Sequence, residues 1–143
     1  MERQLVFELP NDLQCIEETV EFVISRCTTC AEVERKLRLN FRVSLCEALA
    51  NAMIYGNGSD PSKQVHVEVF VEGARLTARI TDEGPGFDPR TVPDPTIARN
   101  LQRDGGRGIF LMRELMDEVR YNDRGNSVTL TLTLPDQNGL SHG

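Results

Sequence analysis

The sequence predicts an α+β fold, a two-layer α/β sandwich with a mostly antiparallel sheet, three helices on one face and a lid over that face. Three observations predict it. Strand patterns come in groups, at 5–9, across 65–81 and across 119–134, instead of alternating singly with helices. Two amphipathic helical patterns stand together between the first strand and the first hairpin. From 83 to 104 periodicity disappears in a stretch holding four prolines, and so long a loop in a small chain usually forms a functional lid.

In chain order, Leu5-Val6-Phe7-Glu8-Leu9 reads as a short strand stopped by Pro10. Asn11 is the expected helix N-cap, with Gln14 as its reciprocal partner. Leu13, Ile16, Val20, Val23, Ile24 and Cys27 follow at helical spacing, so residues 12–29 are expected to form an amphipathic helix. A second helix is expected over 37–55, with Phe41, Leu45, Ala48, Leu49 and Ala52 as its apolar stripe and Gly56-Asn57-Gly58 as its stop. Val65, Val67, Val69 and Val71 alternate with His66, Glu68, Phe70 and Glu72, which marks a strand with one face inward. Gly73 turns it into a partner strand with Leu76, Ala78 and Ile80 inward. A third helix is expected over 109–116. Val119 and Tyr121, then Val128, Leu130, Leu132 and Leu134, form a closing hairpin turned at Asp123-Arg124-Gly125-Asn126. The last nine residues look like a loose tail, so the core of one domain is expected over about 5–134 of the 143 residues.

Composition narrows the function. Sixteen Lys and Arg against 22 Asp and Glu give a net charge of −6, which disfavours long nucleic acid as a partner. A small phosphate ligand stays possible, because backbone N–H groups and one or two Arg outweigh a global charge locally. No apolar run is long enough to cross a membrane, and the N-terminus lacks the start of a signal peptide, so a cytoplasmic protein is expected. Cys27 and Cys30 have redox or metal spacing, but no second pair or nearby His completes a zinc site. Buried thiols in a reducing compartment are the favoured reading of Cys15, Cys27, Cys30 and Cys46.

Three segments carry chemistry. Glu47 and Asn51 lie one helical turn apart, on a face with Asn40, Ser44 and Tyr55 that sits off the Leu45/Leu49 stripe. An Asn carbonyl with nucleotide phosphates can hold Mg²⁺, and a neighbouring carboxylate can deprotonate an attacking hydroxyl. Asp82 falls on the inward face of its strand by counting in twos from Leu76, Ala78 and Ile80. A carboxylate there is costly unless paired, Gly84 and Gly86 let a ligand approach closely, and an adenine amino group is a suitable donor. Gly105-Gly106-Arg107-Gly108 opens the third helix, where free N–H groups and the dipole favour phosphate and Arg107 adds charge. Each segment alone has a plain alternative: a solvated helix face, an Asp-x-Gly turn cap, a hinge. The third segment matches neither a P-loop nor a Rossmann fingerprint. The order of the three, with a lid between the second and third, is the specific signal.

In that order and spacing the chain resembles the GHKL ATPase superfamily, whose ATP-binding domain is the Bergerat fold, and within it the anti-sigma factor serine/threonine kinases. Ser44-Leu45-Cys46-Glu47-Ala48-Leu49-Ala50-Asn51-Ala52 is similar to their N box, Asp82-Glu83-Gly84-Pro85-Gly86-Phe87 to their G1 box, and Gly105-Gly106-Arg107-Gly108-Ile109-Phe110-Leu111-Met112 to their G2 box. Leu115-Met116-Asp117-Glu118-Val119 is also typical of them. The resemblance implies ATP and Mg²⁺ as ligands, Glu47 as catalytic base, Asn51 as Mg²⁺ ligand, and Asp82 on the adenine amino group. It also implies that Gly84 and Gly86 shape the base pocket, and that Gly105, Gly106, Arg107 and Gly108 hold phosphates. Arg99 and Arg103 in the lid are candidate γ-phosphate ligands. The implied partners are an anti-anti-sigma protein, phosphorylated on Ser or Thr, and a sigma factor held by a homodimer. The chain departs from the group in having Tyr55-Gly56 where His-Gly or His-Ala is usual, and Asn126-Ser127 where a Thr supports the adenine.

Two other functions stay open on sequence. One is a nucleotide-gated binding module with little catalysis. The other is a detached histidine-kinase catalytic domain. Against the latter, neither His66 nor His142 precedes an acidic residue as an acceptor His does, and Glu rather than Asn stands one turn before Asn51.

Overall fold

Alternation in the strands fixes one apolar and one polar sheet face. In a computed structural model, which describes residues 2–85 and 104–135 (104–108 by backbone alone), five strands form one sheet. They are β1 (Glu2–Pro10), β2 (Gln64–Glu72), β3 (Arg75–Thr81), β4 (Glu118–Tyr121) and β5 (Ser127–Thr133). Their spatial order is β1-β2-β3-β5-β4, and every pair is antiparallel. Gly73, at a φ of 60°, makes the left-handed turn between β2 and β3 that a side chain would disfavour.

The register carries one apolar layer across the sheet. Phe7 pairs with Val67, Val67 with Ile80, Ile80 with Val128, and Val128 with Tyr121. The next layer joins Leu5, Val69, Ala78, Leu130 and Val119. On the opposite face Glu8 and Glu68 flank His66, and Arg79 Nε lies 3.0 Å from Glu68. Each fully buried Val, Leu or Ile contributes about 1.5–3 kcal/mol, whereas an exposed ion pair contributes about 0–1 kcal/mol. The inner face therefore decides the sheet's register.

The helices cover that inner face. They are α1 (Ile16–Cys27), α2 (Ala31–Lys36), α3 (Arg42–Asn51) and α4 (Asp104–Leu115). Wide π-type turns over Leu37–Phe41 and Ala52–Gly56 bracket α3, so α2 and α3 run on as nearly one helix. Val20, Val23 and Ile24 of α1 and Leu45, Ala48 and Leu49 of α3 are buried over the sheet residues Val65, Val67, Leu76 and Leu130. Glu17 and Glu21 of α1 bind Arg42, and Glu21 also binds Arg38, which ties the two helices at the surface. The antiparallel α+β sandwich expected from sequence is what forms.

Four local expectations change. The first helix begins at Ile16, preceded by a 3-10 turn over Leu13–Cys15, and Leu13 is 50% exposed. Asp12, not Asn11, caps that turn by accepting the Gln14 N–H at 3.0 Å. The second helix starts six residues earlier than expected, at Ala31 rather than 37. The third starts at Asp104 rather than 109, so the Gly105–Gly108 segment forms its first turn instead of preceding it. A helical Gly costs about 1 kcal/mol, and the buried Ile109 and Met112 of this helix, which packs on α3, offset that cost. Of the expected lid the described residues include only 83–85 and 104, and of the expected tail only 135. All four cysteines are free thiols, and burial raises the Cys27 thiol to about 11, which keeps it protonated and unreactive.

Candidate active site

The site begins with the polar face of α3. Glu47 and Asn51 are both half-buried and one turn apart. At the other end of this face, Asn40 Nδ2 donates to the Leu115 carbonyl at 2.6 Å, capping the C-terminus of α4. That contact lays α4 along this face, where Ser44 is fully buried. Among the described residues, the buried side-chain polar atoms without a hydrogen-bond partner are Ser44 Oγ and Asn51 Nδ2. Buried polar atoms are normally satisfied, and exceptions concentrate where a ligand or catalytic step uses them. The orphan at Asn51 therefore fits an amide that completes its bonding with a ligand.

Asp82 lies one residue past β3 and is buried, as counting in twos predicts. Its Oδ1 accepts the Gly84 N–H at 2.8 Å. Burial pushes its carboxyl above the ordinary range, while the Gly84 N–H and then the charges of Lys63 and Arg124 pull it down. The backbone of Asp82 is pinned too. Its N–H donates to the Asn126 carbonyl at 2.9 Å, and Asn126 Nδ2 reaches the Asp82 carbonyl at 3.4 Å. Ser127 pairs with Thr81 through their hydroxyls at 2.8 Å, on the opposite face of the sheet from Ile80 and Val128. Of the Asn126-Ser127 pair, Asn126 is therefore the one that meets Asp82.

Two glycines make room for this carboxylate. A Cβ on Gly56 would lie 2.2 Å from Asp82 Oδ2, and a Cβ on Gly84 would lie 1.7 Å from the Gly56 carbonyl oxygen. The end of the helical run from α3 and the turn after β3 thus touch backbone to backbone. In the sequence Gly56 reads as a helix stop and as part of the Tyr55-Gly56 departure. Its pairing with Gly84, 28 positions on, has no local signal. Tyr121, on the edge strand β4, is partly buried. Burial raises its hydroxyl well above the ordinary range, Arg113 opposes the shift and the Asp82 carboxylate adds to it.

The structure thus joins Asp82, Gly84 and the end of the α3 run into one rim, with Glu47 and Asn51 on α3 itself and α4 packed alongside. The backbone of Gly105, Gly106, Arg107 and Gly108 forms the first turn of α4. Gly86, Arg99 and Arg103 lie outside the described residues, as does the Arg107 side chain.

The histidine kinase-like ATPase domain family matches residues 9–132. The chain belongs to that family. It is 32% identical over 100 residues to the serine/threonine-protein kinase BtrW of Bordetella bronchiseptica, covering 67% of this chain and 70% of that one. It is 29% identical over 99 residues to the serine-protein kinase RsbW of Listeria monocytogenes, covering 64% of this chain and 63% of the relative. It is 34% identical over 100 residues to the anti-sigma F factor of Bacillus cytotoxicus, covering 66% and 68%. Within the family the chain falls in the GHKL group of ATP-binding serine/threonine kinases that serve as anti-sigma factors. The N, G1 and G2 boxes read from sequence thus stand in a chain whose family uses ATP.

Proposed function

We propose that this chain, as a single domain, transfers the γ-phosphoryl group of ATP to a Ser or Thr of an anti-anti-sigma partner in the cytoplasm, and that it sequesters a sigma factor, as a homodimer. The observation that carries the site assignment is the buried Asp82 carboxylate in its glycine cradle, with the orphaned Asn51 amide on the neighbouring helix. Bound ATP supplies the phosphoryl group, and Mg²⁺ supplies charge neutralisation across its phosphates.

The chain's own residues divide the remaining work. Asp82 accepts a hydrogen bond from the adenine amino group, and the closeness of Gly56 and Gly84 fixes where that acceptor points. Gly86 is assigned, with Gly84, to shaping the base pocket. Asn51 would hold the metal through its amide oxygen, and its buried, unpartnered Nδ2 would donate to a phosphate oxygen. Glu47 takes the proton of the incoming hydroxyl, which becomes a competent nucleophile only as that proton leaves. Gly105, Gly106 and Gly108 offer backbone N–H groups at the start of α4, and Arg107 offers charge to the phosphates. Arg99 and Arg103 are assigned to the γ-phosphate. An acidic chain suits protein partners recognised by complementary charge.

The test is transfer of labelled phosphate from ATP·Mg²⁺ to a serine of an anti-anti-sigma protein from the same genome. Transfer that requires Glu47 is expected. ATP binding with no transfer, and with unchanged regulation by Glu47→Ala, would leave a nucleotide-gated binding module instead.

A further inference from the structure

Asn57 is 2% exposed, yet it sits in a segment that reads as an ordinary helix stop. Each of its amide atoms is used. Its Oδ1 accepts the Glu83 N–H at 2.7 Å. Its Nδ2 donates to the Gln64 carbonyl at 3.0 Å and to Asn11 Oδ1 at 3.3 Å. Asn11 in turn donates to the Asp60 carbonyl at 2.9 Å and the Met53 carbonyl at 3.3 Å. Glu83 Oε2 closes the ring by accepting the Gln64 N–H at 2.6 Å. The network joins four parts of the chain: the end of β1, the turn after α3, the start of β2 and the turn after β3.

Its position relative to Asp82 gives it a consequence. The Glu83 N–H belongs to the peptide directly after Asp82, and the next N–H, of Gly84, binds the Asp82 carboxylate. Asn57 therefore holds the peptide unit on which the carboxylate's own internal bond depends. Asn57 also directly follows Gly56, whose backbone abuts that carboxylate. Solvated, the Glu83 N–H would let the turn rotate, and the Asp82 oxygens would lose a single direction. A buried, fully satisfied amide removes that freedom.

We propose that Asn57 is a positioning residue for purine selection: it fixes the Asp82 turn so that the carboxylate accepts from a 6-amino group and rejects a 6-carbonyl. The proposal rests on the adenine role assigned to Asp82 above. Its physical basis is that a site built around one fixed acceptor penalises a ligand that presents a second acceptor there.

The experiment compares affinities of the full chain for ATP and for inosine triphosphate, which carries a carbonyl in place of the 6-amino group, by calorimetry with Mg²⁺ present. The unsubstituted protein is expected to favour ATP by about tenfold or more, the scale of a hydrogen bond to a charged group. Asn57→Ala is expected to bring the two affinities close together. A purely structural role would weaken both nucleotides alike, lower the melting temperature and leave the ratio intact, and that result overturns the proposal. If the unsubstituted protein shows no preference, the adenine role of Asp82 falls and takes this proposal with it. If it prefers ATP and Asn57→Ala prefers it equally, only the proposal for Asn57 falls. Should Asn57→Ala not fold, Glu83→Pro deletes the same N–H on an exposed turn. The same collapse of the ratio is expected there, and an unchanged ratio overturns the proposal.

Discussion

The rim around Asp82 and the polar face of α3 belong to one site but are built in opposite ways. Around Asp82, backbone and side-chain groups are paired: Gly84 and Glu83 N–H, the Asp82 N–H and carbonyl, and both ends of the Asn57 amide. Along α3, Ser44 Oγ and Asn51 Nδ2 are buried with no partner. A fully bonded rim suits recognition, because a fixed acceptor discriminates between ligands. Unpaired polar groups suit chemistry, because they stay available to charges that appear only with the bound ligand and its transition state. On the proposed assignment the site is fully bonded where it would select and keeps bonding capacity where it would react.

Four measurements break or sharpen this contrast. The largest expected effect is on the α3 face. Glu47→Ala should lower phosphotransfer by about 10²–10⁴-fold, the usual contribution of a positioned base, while ATP affinity measured by calorimetry stays near that of the parent. A matching loss of affinity would place Glu47 in binding rather than catalysis.

On the paired rim, Gly84→Ala should weaken ATP binding by about tenfold to a hundredfold, a cost of roughly 1.4–2.7 kcal/mol. Its Cβ would meet a backbone oxygen at 1.7 Å, which cannot swing aside. Gly56→Ala should cost less, since the atoms it meets belong to the Asp82 side chain. The reverse order in a titration series would show that the Gly56–Gly84 approach does not shape the site.

Asp82→Asn separates stability from binding. Burial raises the Asp82 carboxyl, so its folded value lies above its unfolded one. The folded state then holds this proton more tightly. Asp82 costs stability once pH rises through its raised value, and the cost disappears below the ordinary carboxylate range. The uncharged Asp82→Asn variant should therefore melt slightly higher than the parent at neutral pH without nucleotide. It should lose most of the rise in melting temperature that ATP·Mg²⁺ gives any protein that binds it only when folded. A full ATP-induced rise in the variant would remove adenine from Asp82.

The smallest effect lies on the far face of the sheet. The hydrogen bond that the His66 ring donates to Glu8 comes first among the causes that raise His66, with burial opposing and Glu68 adding. The stability it gives is present below the ordinary histidine value and is lost as pH rises through the raised one. His66→Gln should lower stability by no more than about 0.5 kcal/mol at pH 6, because solvent screens so exposed a pair. Well above the raised value, denaturant melts of variant and parent should coincide.

The residues themselves made most of the fold legible. Alternation at Val65, Val67, Val69 and Val71, and at Leu76, Ala78 and Ile80, gave the sheet face and hence the inward Asp82. Helical spacing gave the buried stripe of α3. The helix starts were not legible. Asn11 has the chemistry of a cap, but its amide is drawn to Met53 and Asp60, more than 40 positions away. The glycines before Ile109 signal a break, yet packing on α3 carries the helix back through them.

By itself the sequence determined which atoms this protein can use: a carboxylate at an inward strand position, a Glu and an Asn one helical turn apart, glycines at a helix start. These follow from periods of two and 3.6 residues, which act between near neighbours. Only the tertiary structure decided which of them meet. Gly56 against Gly84, and Asn57 against Glu83 at a separation of 26 residues, are joined by the packing of a helix end on a strand end. No local period encodes such a contact. It comes from burying one apolar core beneath both segments, and this brings the polar ends of α3 and β3 together at its edge.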